Sequence, residues 1–168
     1  MTAEIINLVT AVAALAAVLV AGLEFRGVLR ARRASQRAEL DGVAVQWHPL
    51  VRPNHAEADG SAVWKYEITV HNPGHLPIRG VSVALTFPFD VRRIHHDATL
   101  DAPTRTLRLH QSVIIAGGTR TWRRSLRISF DDRNRLPEVT ADVRFTPLRG
   151  PSRTNHMDGR PPTEGSAP

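Results

Sequence analysis

From Ile5 to Leu23 the chain is apolar at every position except Asn7 and Thr10. As a helix this stretch is about 28 Å long at about 1.5 Å per residue, and a bilayer's hydrocarbon core is about 30 Å thick. Proline is absent from it, Gly22 is its one glycine, and Ala and Leu favour helix. The pattern therefore predicts a transmembrane helix over about residues 5–23. A secretory signal peptide would carry a positive charge ahead of its apolar run, whereas the only charge here is Glu4. An interfacial helix would show a polar face, and none is present.

The flanks set the expected orientation. Arg26, Arg30, Arg32, Arg33 and Arg37 follow the apolar run, and no Lys or Arg precedes it. Cytoplasmic flanks are enriched in basic residues, so the N-terminus is expected outside and the remainder in the cytoplasm, at an inner (plasma) membrane. The five arginines would lie at the headgroup level of the lipid bilayer, on a helical neck running to about residue 40.

From Gly42 the period changes to two. Val43, Val45 and Trp47 alternate with smaller or polar residues. Trp64, Tyr66, Ile68 and Val70 face away from Lys65, Glu67, Thr69 and His71. Such alternation marks half-buried antiparallel strands. Asn72-Pro73-Gly74 is turn chemistry. The next strand, Val81 to Phe87, is expected to stop at Pro88. Shorter strands are expected at 91–95, 106–110, 113–116, 122–130 and 139–145. Seven or eight strands joined by Gly, Pro and Asn turns predict a mainly β domain over 41–147, an immunoglobulin-like antiparallel β-sandwich, with a small closed barrel as the alternative. From residue 148 to 168 the chain is rich in Pro, Gly and small polar residues, and disorder is expected.

The run Tyr66 to Val83, a strand ending in Asn-x-Gly followed by a Pro-containing loop and a second strand, resembles a recurrent piece of immunoglobulin-like bacterial domains. Val113 to Trp122 is similar to the Gly-turn edge such domains place before a late strand. The layout as a whole, over about residues 5–147, resembles small bacterial single-pass membrane proteins of unknown function with an N-terminal helix, an Arg-rich neck and a sandwich. Ala141 to Thr146 match their Ala-x-Val-x-Phe-Thr run, but no Trp follows Gly150. The resemblance implies a fold and no active site.

Chemistry-bearing motifs are few. Cysteine is absent, which excludes disulfides, thiolate zinc sites and Cys nucleophiles. In His95-His96-Asp97, neighbouring strand residues point to opposite faces, so the two histidines do not share a metal on a strand. Histidines 48, 55, 71, 75 and 110 lack ligand spacing. Asp131-Asp132 reads as a turn, and Gly117-Gly118-Thr119-Arg120 as a hairpin turn rather than an anion nest. No Walker, Rossmann or nucleophilic-serine motif occurs. These readings predict no enzyme, no cofactor and no metal.

The arginines remain. The net charge is +6, and Lys65 is the only lysine among 22 basic residues. Arg120, Arg123, Arg124 and Arg127 form the densest basic run of the domain. Strand alternation puts Arg124 on the core side together with Arg120, which implies an edge strand or a bulge, and the two are a speculative anion-binding pair. Residues 41–168 hold 17 basic and 13 acidic side chains, a modest excess without exposed aromatic residues for base stacking, so nucleic acid is not the expected partner. The leading expectation is a membrane-anchored, non-enzymatic protein-interaction module whose sheet edges accept a partner strand. The alternative is a membrane-tethered sensor or effector whose β-domain binds a small anionic ligand through Arg120 and Arg124.

Overall fold

The structure is a computed structural model, and it describes residues 25–28, 30, 34–35 and 37–158. The chain divides into two compact units, Met1–Ala38 and Glu39–Pro168. In the first, the described residues are helical, and Arg26, Arg30 and Arg37 are exposed. Arg32, Arg33 and the expected transmembrane span at 5–23 lie outside the described residues. Among the described residues no helix is long and apolar enough to cross a membrane.

The second unit is mainly β and its strands are antiparallel. They are β1 (Ala44–Val51), β2 (Ser61–His71), β3 (Ile78–Ile94), β4 (Thr104–Ile114), β5 (Thr119–Ser129), β6 (Thr140–Pro147) and β7 (Arg153–Asp158). A 3-10 helix, Phe130–Glu138, joins β5 to β6. The sequence pattern contains no helical period there, because no residue of this helix is buried. The strands form one sheet in the order β1-β2-β5-β3-β6-β7, with β4 also on β3.

Alternation explains the core. Ala62, Trp64, Tyr66, Ile68 and Val70 of β2 are buried and their neighbours are not. Val81, Val83, Leu85, Phe87, Phe89 and Val91 do the same along β3, and Ala141, Val143 and Phe145 along β6. Together with residues of β1, β4 and β5 they make one hydrophobic cluster. Full burial of a large apolar side chain contributes roughly 1.5–3 kcal/mol. The inward phase of β3 moves from Ile78 to Val81 through Gly80, whose φ is +58°. The register with β6 slips between Arg79 and Ser82. This is a β-bulge at a backbone conformation that glycine adopts without strain.

Three expectations are corrected. Pro88 does not end its strand: β3 continues to Ile94 and absorbs the separate strand expected at 91–95. The first part of β3 pairs with β4 and β6, while Val91–Ile94 pair with β5. The register breaks between Thr86 and Val91, so proline occupies a stretch where no ladder needs its N–H. One strand thereby serves both groups, and the seven strands are linked in one hydrogen-bonded sheet. The strands expected at 106–110 and 113–116 are likewise a single β4. Finally, residues 153–158, expected to be disordered, form β7 on β6. Met157 packs on the core, and the Asn155 side-chain amide donates to the carbonyls of Leu40 (2.9 Å) and Val43 (2.8 Å). Backbone pairing and one amide organise a segment that has little apolar surface to bury.

Candidate anion-binding site

β5 pairs with β2 along its whole length, from Thr119 to Ser129, but with β3 only over Ser125–Ile128. Ahead of Ser125 the β3 side of β5 is an open edge among the described residues. The inward phase of β5 is set by buried Trp122, Leu126 and Ile128. Arg120 and Arg124 share that phase, as alternation predicts. Across the ladder Arg93 of β3 is paired with Leu126, which places it diagonally from Arg124 on the same face. The fold therefore brings Arg93 to Arg124, with Arg120 one inward position beyond Trp122. The Arg120 guanidinium lies over the Trp122 ring, 5.7 Å from its centroid.

Arg123, on the outward face, pairs with Glu67 at 3.0 Å, and Arg127 pairs with Glu57 and Asp59. Arg105, Arg135 and Arg153 also have carboxylate partners. Among the described residues no carboxylate pairs with Arg93, Arg120 or Arg124. Among the described residues the Nε atoms of Arg93 and Arg124 are buried without an acceptor, as is that of carboxylate-paired Arg127, and Arg124 Nη1 donates to the Arg123 carbonyl at 2.8 Å. Burial lowers the Arg124 pKa, and repulsion from Arg93 and Arg120 lowers it further. An arginine stays protonated even so, and an anion between these groups would offset both penalties.

A slot of about 290 Å³ opens here, with Arg93, His95, His96, Arg123, Arg124 and Ser125 on its walls. His95 Nε2 is 2.7 Å from Asp101 Oδ1. The remainder of His95-His96-Asp97 is a turn. Asp97 accepts from the Thr99 hydroxyl and amide, first of all from the hydroxyl, and its pKa is lowered. Among the described residues no three His, Asp or Glu side chains converge as metal ligands would.

The Gly117-Gly118 turn has its amides occupied by protein. Gly117 N–H donates to the Gly74 carbonyl (3.1 Å) and Gly118 N–H to that of Ile115 (3.0 Å). Asn72, buried, donates its side-chain amide to the carbonyls of Leu76 and Ile115 and so ties the two turns together. Asp131 and Asp132 lie in the first turn of the 3-10 helix, where Asp132 pairs with Arg135. Arg93 is the site residue that inspection of basic runs misses. The available signal was its phase: Arg93 is two residues from buried Val91 on a strand whose odd positions face inward.

No family model matches this chain, and no curated protein matches it. Among solved structures it is similar to the ApaA protein of Bordetella pertussis, at 13% identity over 72% of this chain and 95% of that one, with a TM-score of 0.42. It is also similar to the sporulation control protein Spo0M of Bacillus subtilis, at 14% identity over 70% of this chain and 48% of that one, with a TM-score of 0.36. A FixG-related protein of Vibrio parahaemolyticus matches at 13% identity over 67% and 92%, with a TM-score of 0.30. With every score at or below 0.42, function is argued from this chain's own residues.

Proposed function

We propose that this chain is a membrane-anchored, non-enzymatic recognition module whose β-domain binds a small anionic group at Arg93, Arg120 and Arg124. The observation that carries the reading is the convergence of three arginines, two with buried Nε atoms that lack an acceptor, with no carboxylate paired to them among the described residues. Guanidinium groups bind phosphate and carboxylate bidentately. Ser125 and two histidines share the slot, but among the described residues no hydrogen bond joins the serine to either ring, and the reading is one of binding. The anchor is the apolar run at 5–23, and the neck arginines orient it with the N-terminus outside and the β-domain cytoplasmic. Two strand groups over one core fit an immunoglobulin-like sandwich in which β3 passes from one layer to the other.

The test is a thermal-shift series on the full chain with inorganic phosphate, pyrophosphate and nucleotides. A ligand at a hundred times its Kd stabilises by about 2.7 kcal/mol. Wild type is expected to gain several degrees, Arg124→Ala and Arg93→Ala to gain nothing, and Arg144→Ala to behave as wild type. A flat wild-type series rejects the site. A reporter fused after residue 147 tests the topology, and an external signal rejects the cytoplasmic placement.

A second reading, docking of a partner protein on β4, is favoured by that strand's second edge, unpaired among the described residues, and by exposed Val113 and Ile115 beside it. An added strand would pair there. Val113→Lys would abolish recovery of a partner from membranes and leave the phosphate response intact.

A further inference from the structure

A second slot, of about 310 Å³, lies between β1 and the 3-10 helix, and an irregularity in β1 shapes it. Val43, Val45 and Trp47 of β1 pack on the core, and Pro49, in the same phase, is opposite buried Tyr66. β1 ends the strand order, a position where a proline is tolerated. The register then slips between Pro49 and Val51, which sets Val51 opposite outward Lys65. The extra residue is a β-bulge, and bulges re-aim the side chains that follow. Without it position 51 would face inward. With it Arg52 does, and Arg52 lines the slot beside Pro49, Trp64 and Tyr66.

Two kinds of chemistry meet on its walls. The rings of Trp47, Trp64, Pro49 and Pro137 are flat apolar surfaces, and Leu136 of the 3-10 helix adds an aliphatic one. Such surfaces receive a planar ring. Against them stand Arg52, Arg133 and the Tyr66 phenol. Among the described residues no carboxylate lines the slot, and none pairs with either arginine. Arg133 is held in place: its guanidinium lies 4.4 Å from the Phe130 ring centroid, and Nη1 donates to the Phe130 carbonyl at 3.1 Å. Arg52 acts on Tyr66, whose pKa burial pushes up to about 12 while the Arg52 charge opposes the shift. Among the described residues no hydrogen bond contributes to that pKa. At neutral pH the phenol is thus a protonated donor next to a guanidinium. A carboxylate accepts from both, and guanidinium groups bind it bidentately. Ligand pockets run from about 300 to 1,000 Å³, so this one suits one or two fused rings rather than a long acyl chain.

We infer that the slot of Trp47, Trp64 and Tyr66 is a binding site for a small aromatic carboxylate. Its ring packs on the indole and proline faces, and its carboxylate accepts from Arg52 and the Tyr66 hydroxyl, with Arg133 as a second positive charge. This slot and the one at Arg93 and Arg124 share no residue, so the two ligands bind independently.

The experiment titrates the full chain with naphthoate and with its neutral amide, and follows the indole N–H resonances of the three tryptophans. Trp47 and Trp64 line the slot, whereas Trp122 lies under Arg120, so the spectrum itself reports which site is filled. Naphthoate is expected to shift Trp47 and Trp64 with a Kd below about 1 mM and to leave Trp122 in place. The amide should bind at least about tenfold more weakly, since it lacks the charge that strengthens the hydrogen bonds. Arg52 is exposed, so Arg52→Gln should keep the unligated spectrum of wild type while lowering the affinity for the acid to that for the amide. Tyr66→Phe retains the ring and should weaken the acid by a smaller factor. Trp47 and Trp64 signals unmoved by naphthoate would overturn the inference. So would equal binding of acid and amide, which would reduce the slot to an apolar surface, or undiminished binding by Arg52→Gln. Shifts confined to Trp122 would assign the carboxylate to the β5 arginines instead. The phosphate response of Arg124 is read separately, so failure of one site leaves the other standing.

Discussion

The β-domain has two places where its strand groups come together, and they are built differently. Along β1 and β7 the gap is spanned by side chains. Asn155 reaches the Leu40 and Val43 carbonyls, Met157 receives the Val45 amide, and Arg153 pairs with Asp41. Where β5 runs past the end of β3, Arg120 and Arg124 take inward positions, and among the described residues Arg124 Nε is buried without an acceptor. One margin satisfies its polar groups internally and the other leaves cations uncompensated. A buried unpaired charge costs stability unless a partner arrives. The contrast separates an edge that maintains the fold from an edge suited to a ligand.

That contrast can be broken by experiment. The largest effect is expected at high pH from Tyr66 of β2, which lies opposite Pro49 of β1 on one side and Arg124 of β5 on the other. Tyr66, the only tyrosine, is buried, and its pKa is pushed up to about 12, with Arg52 opposing the shift. In the unfolded chain the phenol ionises near its ordinary value of about 10. The folded state retains the proton between those values, so the stability associated with the neutral phenol is present below about pH 10 and is lost as pH rises toward 12. A shift of about two units corresponds to roughly 2–3 kcal/mol. Tyrosinate absorbance of the native protein should therefore rise late and together with unfolding, and a titration near 10 without unfolding would show the ring to be accessible.

Next is Asn155→Ala, which removes the donors that join β7 to the residues entering β1. A loss of about 1–3 kcal/mol in denaturant unfolding is expected, with faster amide exchange along β7. An unchanged midpoint would mean that backbone pairing with β6 is sufficient. The smallest effect has the opposite sign. Arg124→Met keeps an unbranched side chain and removes a half-buried cation repelled by Arg93 and Arg120. A gain of about 1 kcal/mol is expected in the absence of ligand, with loss of the phosphate response. Destabilisation would show that Arg124 serves the fold, and the two margins would then no longer differ in kind.

Much of this was legible from residues alone. The inward faces of β2, β5 and β6 follow directly from alternation at Trp64 to Val70, Trp122 to Ile128 and Ala141 to Phe145. The core-side position of Arg120 and Arg124 follows from the same count. Less legible were Pro88, which reads as a stop when its strand's hydrogen-bond partners are unknown, and β7, whose Arg-Thr-Asn-His-Met-Asp has the composition of a loop. Arg93 was overlooked because its significance lies in a neighbour from another strand.

The sequence by itself determined the mainly β character of the domain, the face each strand turns inward and the position of the Asn72 and Gly117 turns, because these depend on period and on local backbone preference. Only the tertiary structure decided that β3 joins both strand groups, that β7 completes the sheet, and that Arg93 meets Arg124 while the prolines of β1 and the 3-10 helix face one slot. Alternation states which side of a strand is buried but carries no information about which strand lies beside it. That pairing is settled by the packing of the whole core, through contacts between residues far apart in the chain.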